Sequence, residues 1–362
     1  MRVLIRADAS IAIGSGHVAR CLTLARVLRR RGVEVQFACR QLPGHALQRL
    51  RDDGLIAYAL PARYEREHSD ADIEASLPWQ EDIYALGEQL ADEPVFDWLI
   101  VDHYGLDARW ETAARQLARR LMAIDDLNNR PHAVDILLDQ NYSAQALDNP
   151  YTPWVDTACQ TFLGPRFALL RDEFQCPAIE IKPRVARVLV NFGGFDAARQ
   201  VYATLLALQG FDDLQVEIVA GLHNPDWDAM TALCAIRPSW TLHALVDDFF
   251  TLMQQADLFI GAGGGTTWER AAMGLPTLCI TVAHNQELNA RLLAEAGVHI
   301  YLGPHERITM ADLAQAIGAL IDDQAKRQAL AERSRTLVDG RGAERLADAL
   351  TRPEPFSVST HP

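Results

Sequence analysis

Leu258-Phe259-Ile260-Gly261-Ala262-Gly263-Gly264-Gly265-Thr266-Thr267-Trp268-Glu269 is the stretch that decides the fold. A short apolar run with no polar alternation reads as a strand buried on both faces, the kind found in parallel sheets. The glycines let the backbone turn tightly and approach a ligand, and Thr266, Thr267 and Glu269 open a helix. Strand, glycine loop and helix form the repeating unit of an open α/β sheet, which binds ligands at the carboxyl ends of its strands.

The same unit recurs outward from this point. In the second half, strands at Arg187–Asn191, Val216–Val219 and Leu278–Thr281 run into Phe192-Gly193-Gly194, Ala220-Gly221 and His284-Asn285-Gln286-Glu287. In the first half, Val3–Ile5 precedes Gly14-Ser15-Gly16-His17. A helix over His17–Arg31 follows, with Val18, Leu22, Leu24, Ala25 and Leu28 on its apolar face and Gly32 closing it. Further strands at Val33–Phe37, Trp98–Val101, Leu121–Ile124 and Ile136–Leu138 lead to Asp102, to Asp125-Asp126 and to Asp139. The stretch 174–184, with Pro177 and Pro183, reads as a linker. The expectation is an α/β protein of two Rossmann-like domains, 1–173 and 185–350, facing each other across a cleft that holds the active site, with a loose tail at 351–362.

Composition narrows the partners. The 362 residues carry 34 Lys and Arg against 48 Asp and Glu, a net charge of −14. A chain that neutralises phosphate backbones or anionic lipid leans the other way, so nucleic-acid and membrane partners are excluded from the expectation. A small anion is still admitted, because helix N-termini and backbone amides bind phosphate without net positive charge. The start, Met1-Arg2-Val3-Leu4-Ile5-Arg6, lacks a signal-peptide core, and no segment offers the roughly 18 uncharged apolar residues of a membrane span. Six widely spaced cysteines contain no C-x-x-C pair, which fits buried thiols in a reducing cytoplasm. Cys21, one turn into the first helix, is weighed as a reactive thiol against a core position.

Two loops carry the expected chemistry. Gly263, Gly264, Gly265, Thr266 and Thr267 suit a diphosphate, and Glu269 offers a carboxylate to two ribose hydroxyls. The competing reading is a tight turn with Thr266 as N-cap and Glu269 closing a capping box, a motif with no use for three glycines. Asn191, Gly193 and Gly194 add a second glycine-rich strand tip for the nucleotide, Gly221 a weaker one, and Phe249 at a helix start an apolar shelf for a base. In the first domain, Gly14 and Gly16 bring His17 to a helix start, where a neutral imidazole can act as general base. His103, Tyr104, Asn285, Gln286 and Glu287 are polar strand-tip candidates for the sugar or nucleotide. The spacing around Gly14 is not G-x-G-x-x-G, so a dinucleotide cofactor is disfavoured. No metal-ligand spacing appears, and neither a metal nor a cofactor is expected.

Taken together, Arg6-Ala7-Asp8, Ile13-Gly14-Ser15-Gly16-His17-Val18-Ala19-Arg20-Cys21, Asp102-His103-Tyr104-Gly105, Asp125-Asp126-Leu127, Leu137-Leu138-Asp139-Gln140-Asn141, Asn191-Phe192-Gly193-Gly194 and Gly263–Glu269 resemble the UDP-sugar hydrolases of pseudaminic acid biosynthesis. That family has the glycosyltransferase-B (GT-B) fold, and the resemblance covers about residues 1–300 in order. It implies metal-independent hydrolysis of UDP-2,4-diacetamido-2,4,6-trideoxy-β-L-altropyranose to UDP and the free sugar. His17 would be the base for the attacking water and Tyr104 would lie near the sugar. Asp8 and Arg20 would contribute to substrate binding, with UDP on the second domain. Two other readings share the motifs: a glycosyltransferase with a UDP-sugar donor and a carbohydrate acceptor, and a non-catalytic sugar-nucleotide-binding protein. The expected partner is a small UDP-sugar, and the expected state is a monomer.

Overall fold

The computed structural model describes residues 1–11, 13–62, 77–193, 196–244, 246 and 248–352. Gly194 and most of the expected loose tail lie outside these residues.

The chain divides into two compact units, residues 1–170 with 341–362, and residues 171–340. In the first unit the strands are β1 (Arg2–Ala7), β2 (Glu34–Arg40), β3 (Ile56–Leu60), β4 (Phe96–Asp102), β5 (Ala118–Ile124), β6 (Ile136–Asp139) and β7 (Gln160–Leu163). They form one parallel sheet in the order β3-β2-β1-β4-β5-β6-β7. Most of their inner residues are apolar, and two buried clusters line the two sides of the sheet. Strand order reverses between β1 and β4, where Ala7 pairs with Asp102. Loops leaving those two tips diverge, and such a switch point is where open sheets bind ligands. The loop after β1 leads into the helix Gly16–Arg30.

The second unit repeats the plan. Its strands are β8 (Arg187–Asn191), β9 (Gln215–Val219), β10 (Trp240–His243), β11 (Leu258–Gly261), β12 (Thr277–Thr281) and β13 (Ile300–Pro304). They pair in parallel in the order β10-β9-β8-β11-β12-β13 around a single apolar cluster. Here the switch point lies between β8 and β11. A side chain at Gly261 would place its Cβ 2.1 Å from the Asn191 carbonyl oxygen, so only glycine lets these two tips close up.

The domain boundaries differ from the expected ones. The second unit begins at Arg171, because Phe174 is buried and the Ile179 amide donates to the Met273 carbonyl at 2.9 Å. Most of the expected linker is thus packed on that unit. It ends at Gly340 rather than 350. The last helix, Gly342–Thr351, returns to the first unit, packs on the helix Gly16–Arg30 and accepts a 3.0 Å hydrogen bond from Trp98 at the Leu350 carbonyl. Among the described residues no helix is long and apolar enough to cross a membrane.

Candidate functional site

At the first switch point His17 sits in the opening turn of its helix, 7% exposed. Its Nδ1 lies 2.6 Å from Oδ1 of Asp102, the last residue of β4. Arg20, one turn further along the helix, donates from Nε and Nη2 to the two oxygens of the same carboxylate, each at 2.7 Å. Its Nη1 reaches Asp126 at 3.0 Å. Burial alone would raise the Asp102 carboxyl, but Arg20 and then His17 hold it well below the usual carboxylate range. Asp102 is therefore an anion that accepts the Nδ1–H of His17. That bond orients the imidazole through Nδ1, the arrangement by which a carboxylate positions a histidine base.

Tyr104 completes this group. Its ring stands edge-on to His17, with centroids 4.7 Å apart and planes at 81°. Burial, and then the Asp126 carboxylate that it hydrogen-bonds, push the phenol well above its ordinary value, so it stays neutral. Gly14 takes φ +79°, which explains glycine there, and it exchanges hydrogen bonds with Ser10 across a one-pair bridge. Gly16 starts the helix and is exposed, and Ser15 before it makes no side-chain cap.

Asp8 and His103 differ from the expectation of substrate contact, because their polar atoms are committed within the protein. Asp8 is 1% exposed, pairs with Arg6 at 2.7 Å and accepts the Arg40 amide at 2.7 Å. His103 accepts the Gly105 amide on Nδ1 at 3.0 Å, which turns its Nε2–H toward Asp8 at 3.5 Å. Arg6 and Arg40 also grip Asp82, which takes the Trp110 indole N–H at 3.0 Å. Two cations and two anions balance in this buried network, and it supports the β1 tip. Asp125 likewise faces inward, to Arg130, Asn128 and Tyr151, while its neighbour Asp126 faces Arg20. Cys21 is buried and sits 3.4 Å from Asp102. Burial, then that carboxylate, raise its thiol well above the ordinary value, so it is not an activated nucleophile.

In the second unit the glycine loop leads into the helix Thr266–Met273. Gly265 is the N-cap and no side chain caps the helix, so the capping-box alternative is not what forms. Among the described residues no protein acceptor takes the amides of Gly264, Gly265 and Thr266. Gln286 anchors the loop instead of facing a ligand with its carbonyl: Oε1 accepts the Gly263 amide at 3.3 Å and the Val282 amide at 3.2 Å. Thr267 is buried beneath the loop, 2% exposed. Glu269 is recessed, with Arg171 as its nearest cation at 4.0 Å, and burial raises its carboxyl to about 7 while Arg171 opposes the rise. It keeps its oxygens free for donors such as paired hydroxyls.

The other nucleotide candidates are placed less suggestively. Asn191 donates to the Val219 carbonyl at 2.9 Å and ties β8 to β9. Gly193 follows it with φ +96°. The helix after β8, Gln200–Leu208, already has an anion at its start, since Asp196 accepts the Gln200 and Val201 amides at 3.0 and 2.8 Å. At the helix start after the Gly263 loop, by contrast, the amides of Gly264, Gly265 and Thr266 have no protein acceptor among the described residues. Gly221 accepts the Asn224 amide in a turn, and Phe249 is a half-buried residue at the start of its helix. Asn285 is exposed, and Glu287 pairs with His284 at 3.0 Å.

Asp102, as the partner of His17, is the functional residue that sequence reasoning missed. The two are 85 positions apart, and only the adjacency of β1 and β4 brings them together.

Two parallel-sheet α/β units, each with a built switch point, define a protein of the GT-B class. The structure of MurG from Acinetobacter baumannii superimposes with a TM-score of 0.67 at 16% identity, over 96% of this chain and 98% of that one. Residues 203–349 match the glycosyltransferase family 28 C-terminal domain. The chain is 27% identical to the UDP-2,4-diacetamido-2,4,6-trideoxy-beta-L-altropyranose hydrolase of Campylobacter jejuni, over 83% of its own length and 98% of the relative's. It is 26% identical to the spore coat polysaccharide biosynthesis protein SpsG of Bacillus subtilis, over 54% of this chain and 60% of that one. The chain is similar to both of these proteins, and its fold is the two-domain GT-B fold.

Proposed function

We propose that this protein hydrolyses a UDP-sugar, and that the 2,4-diacetamido-2,4,6-trideoxy-β-L-altropyranose derivative named for the Campylobacter relative is its substrate. The observation that carries this reading is the His17–Asp102 pair, an imidazole held by a buried carboxylate at 2.6 Å. The second unit supplies the nucleotide seat: loop amides for the diphosphate and Glu269 for the ribose. The first unit supplies the base. Water bound at His17 Nε2 gives up a proton to it while the water oxygen bonds to the anomeric carbon. The carbon–oxygen bond to UDP breaks on the opposite side, and the electron pair leaves with the diphosphate. Attack opposite the leaving group inverts the anomeric centre. Tyr104, fixed against the imidazole, lines the sugar side. The reading invokes no metal and no cofactor.

A positioned base is worth about 10²–10⁴-fold in rate. UDP release by His17→Asn is expected to fall by that factor with the fold intact. Retention within a few-fold would remove His17 as the base. Release of UDP in water with no added carbohydrate separates hydrolysis from transfer, and turnover separates it from mere binding.

A further inference from the structure

Arg270 lies beneath the glycine loop, 2% exposed, and its guanidinium reaches both ends of that loop. Nη1 donates to the Ala262 carbonyl at 2.9 Å and Nη2 donates to the Thr267 hydroxyl at 3.0 Å. Between those two anchors, Gly264, Gly265 and Thr266 carry amides that no protein acceptor takes among the described residues. Below, the guanidinium stacks on the Phe259 ring at 5.0 Å from its centroid. Among the described residues no carboxylate pairs with it. The other buried arginines are better served: Arg6 and Arg40 have carboxylates, and Arg327 donates to four backbone carbonyls. His299 nearby adds no second charge, since burial and then Arg270 drive it down to about 3. Arginine does not give up its proton in proteins, so this site keeps a positive charge with no carboxylate bonded to it; the Cys279 thiol and, through space, Glu269 are what face it. A buried, unpaired cation is costly, and the cost is relieved when an anion arrives close by.

We propose that Arg270 is a positioning residue that sets the geometry of the diphosphate loop and supplies the fixed positive charge that the loop amides lack. This rests on the reading of the second unit as a UDP seat. Its specific content is that the contribution of Arg270 scales with phosphate charge and leaves nucleoside recognition alone. A residue needed only for folding would weaken all ligands together.

The test is calorimetric titration of the full chain and its Arg270→Met and Arg270→Lys variants with uridine, UMP and UDP, alongside thermal melts. For Arg270→Met, UDP affinity is expected to fall at least tenfold, UMP affinity by less, and uridine affinity to stay within twofold. Arg270→Lys keeps the charge but loses the fork, and is expected to recover part of the UDP loss. Equal UDP affinity in parent and Arg270→Met, or an equal loss for all three ligands, overturns the proposal. If Arg270→Met does not fold, Arg270→Lys decides alone by the ratio of UDP to uridine affinity, and an unchanged ratio overturns it. Failure of the parent to bind UDP would instead overturn the reading of the seat.

Discussion

Asp102→Asn isolates the partner of the proposed base, because it preserves shape while removing the charge. The carboxylate now receives His17 Nδ1 at 2.6 Å, two Arg20 donors at 2.7 Å and the Cys21 thiol at 3.4 Å. An asparagine offers one acceptor oxygen and a donating NH2. With Arg20 claiming the oxygen, the NH2 faces His17, and the imidazole must present Nδ1 as acceptor. The ring proton then moves to Nε2, the atom that has to accept a proton from water. The same substitution in a Ser-His-Asp triad costs about 10⁴ in kcat through the same tautomer error. Here a loss of about 10²–10⁴ is expected, about 3–5.5 kcal/mol of barrier, with KM within a few-fold. The stability cost is expected to fall below the roughly 3–5 kcal/mol of a fully orphaned buried charge, because Arg20 keeps Asp126 at 3.0 Å. The assay is steady-state UDP release with a thermal melt of the same sample. A folded Asp102→Asn protein with kcat within threefold of the parent refutes the dyad.

Three further outcomes follow from the geometry. Tyr104→Phe keeps the ring against His17 but deletes the bond to Asp126, so kcat is expected to drop about tenfold or less, measured by UDP release, while Tyr104→Ala loses more. Glu269 is raised to about 7, so the folded protein holds a proton that the unfolded chain has released between pH 4.5 and 7, and stability falls as pH rises through that window. Glu269→Gln is therefore expected to raise the melting temperature at pH 8, to flatten its dependence on pH between 4.5 and 7, and to weaken uridine binding, all checked by melts and titration. Arg6→Met leaves Asp8 and Asp82 short of a buried cation and is expected to destabilise the first unit by about 3 kcal/mol or more in denaturant unfolding, with no direct contact to the proposed reaction.

Nine strands were legible in the sequence, most from apolar runs and β2 from its alternation. Unannounced were β3, β7, β10 and β13, which are the four edges of the two sheets. Half-covered strands such as Ile56–Leu60 and Ile300–Pro304 lack the fully buried run that marks a central strand, and most of their residues are only partly buried. The return of the helix Gly342–Thr351 to the first unit was equally hidden, since chain order does not show where a chain crosses back. Its trace is the pair Gly340 and Gly342, each packed so closely on backbone that a Cβ would collide. At the site, His17 and the Gly263 loop could be read from local pattern. The commitments of Asp8 and His103, the Asp102 partnership and the burial of Arg270 could not, because each depends on which strands and helices become neighbours.

The central claim is that water, activated at His17, cleaves the anomeric bond of a UDP-sugar. It is tested most directly by an NMR time course in ¹⁸O-enriched water with the UDP-diacetamido-trideoxy-altropyranose and no acceptor. The account predicts UDP without ¹⁸O, free sugar with ¹⁸O at the anomeric carbon, and an inverted anomer as the first product. No turnover without an acceptor, or label appearing in UDP, would contradict it.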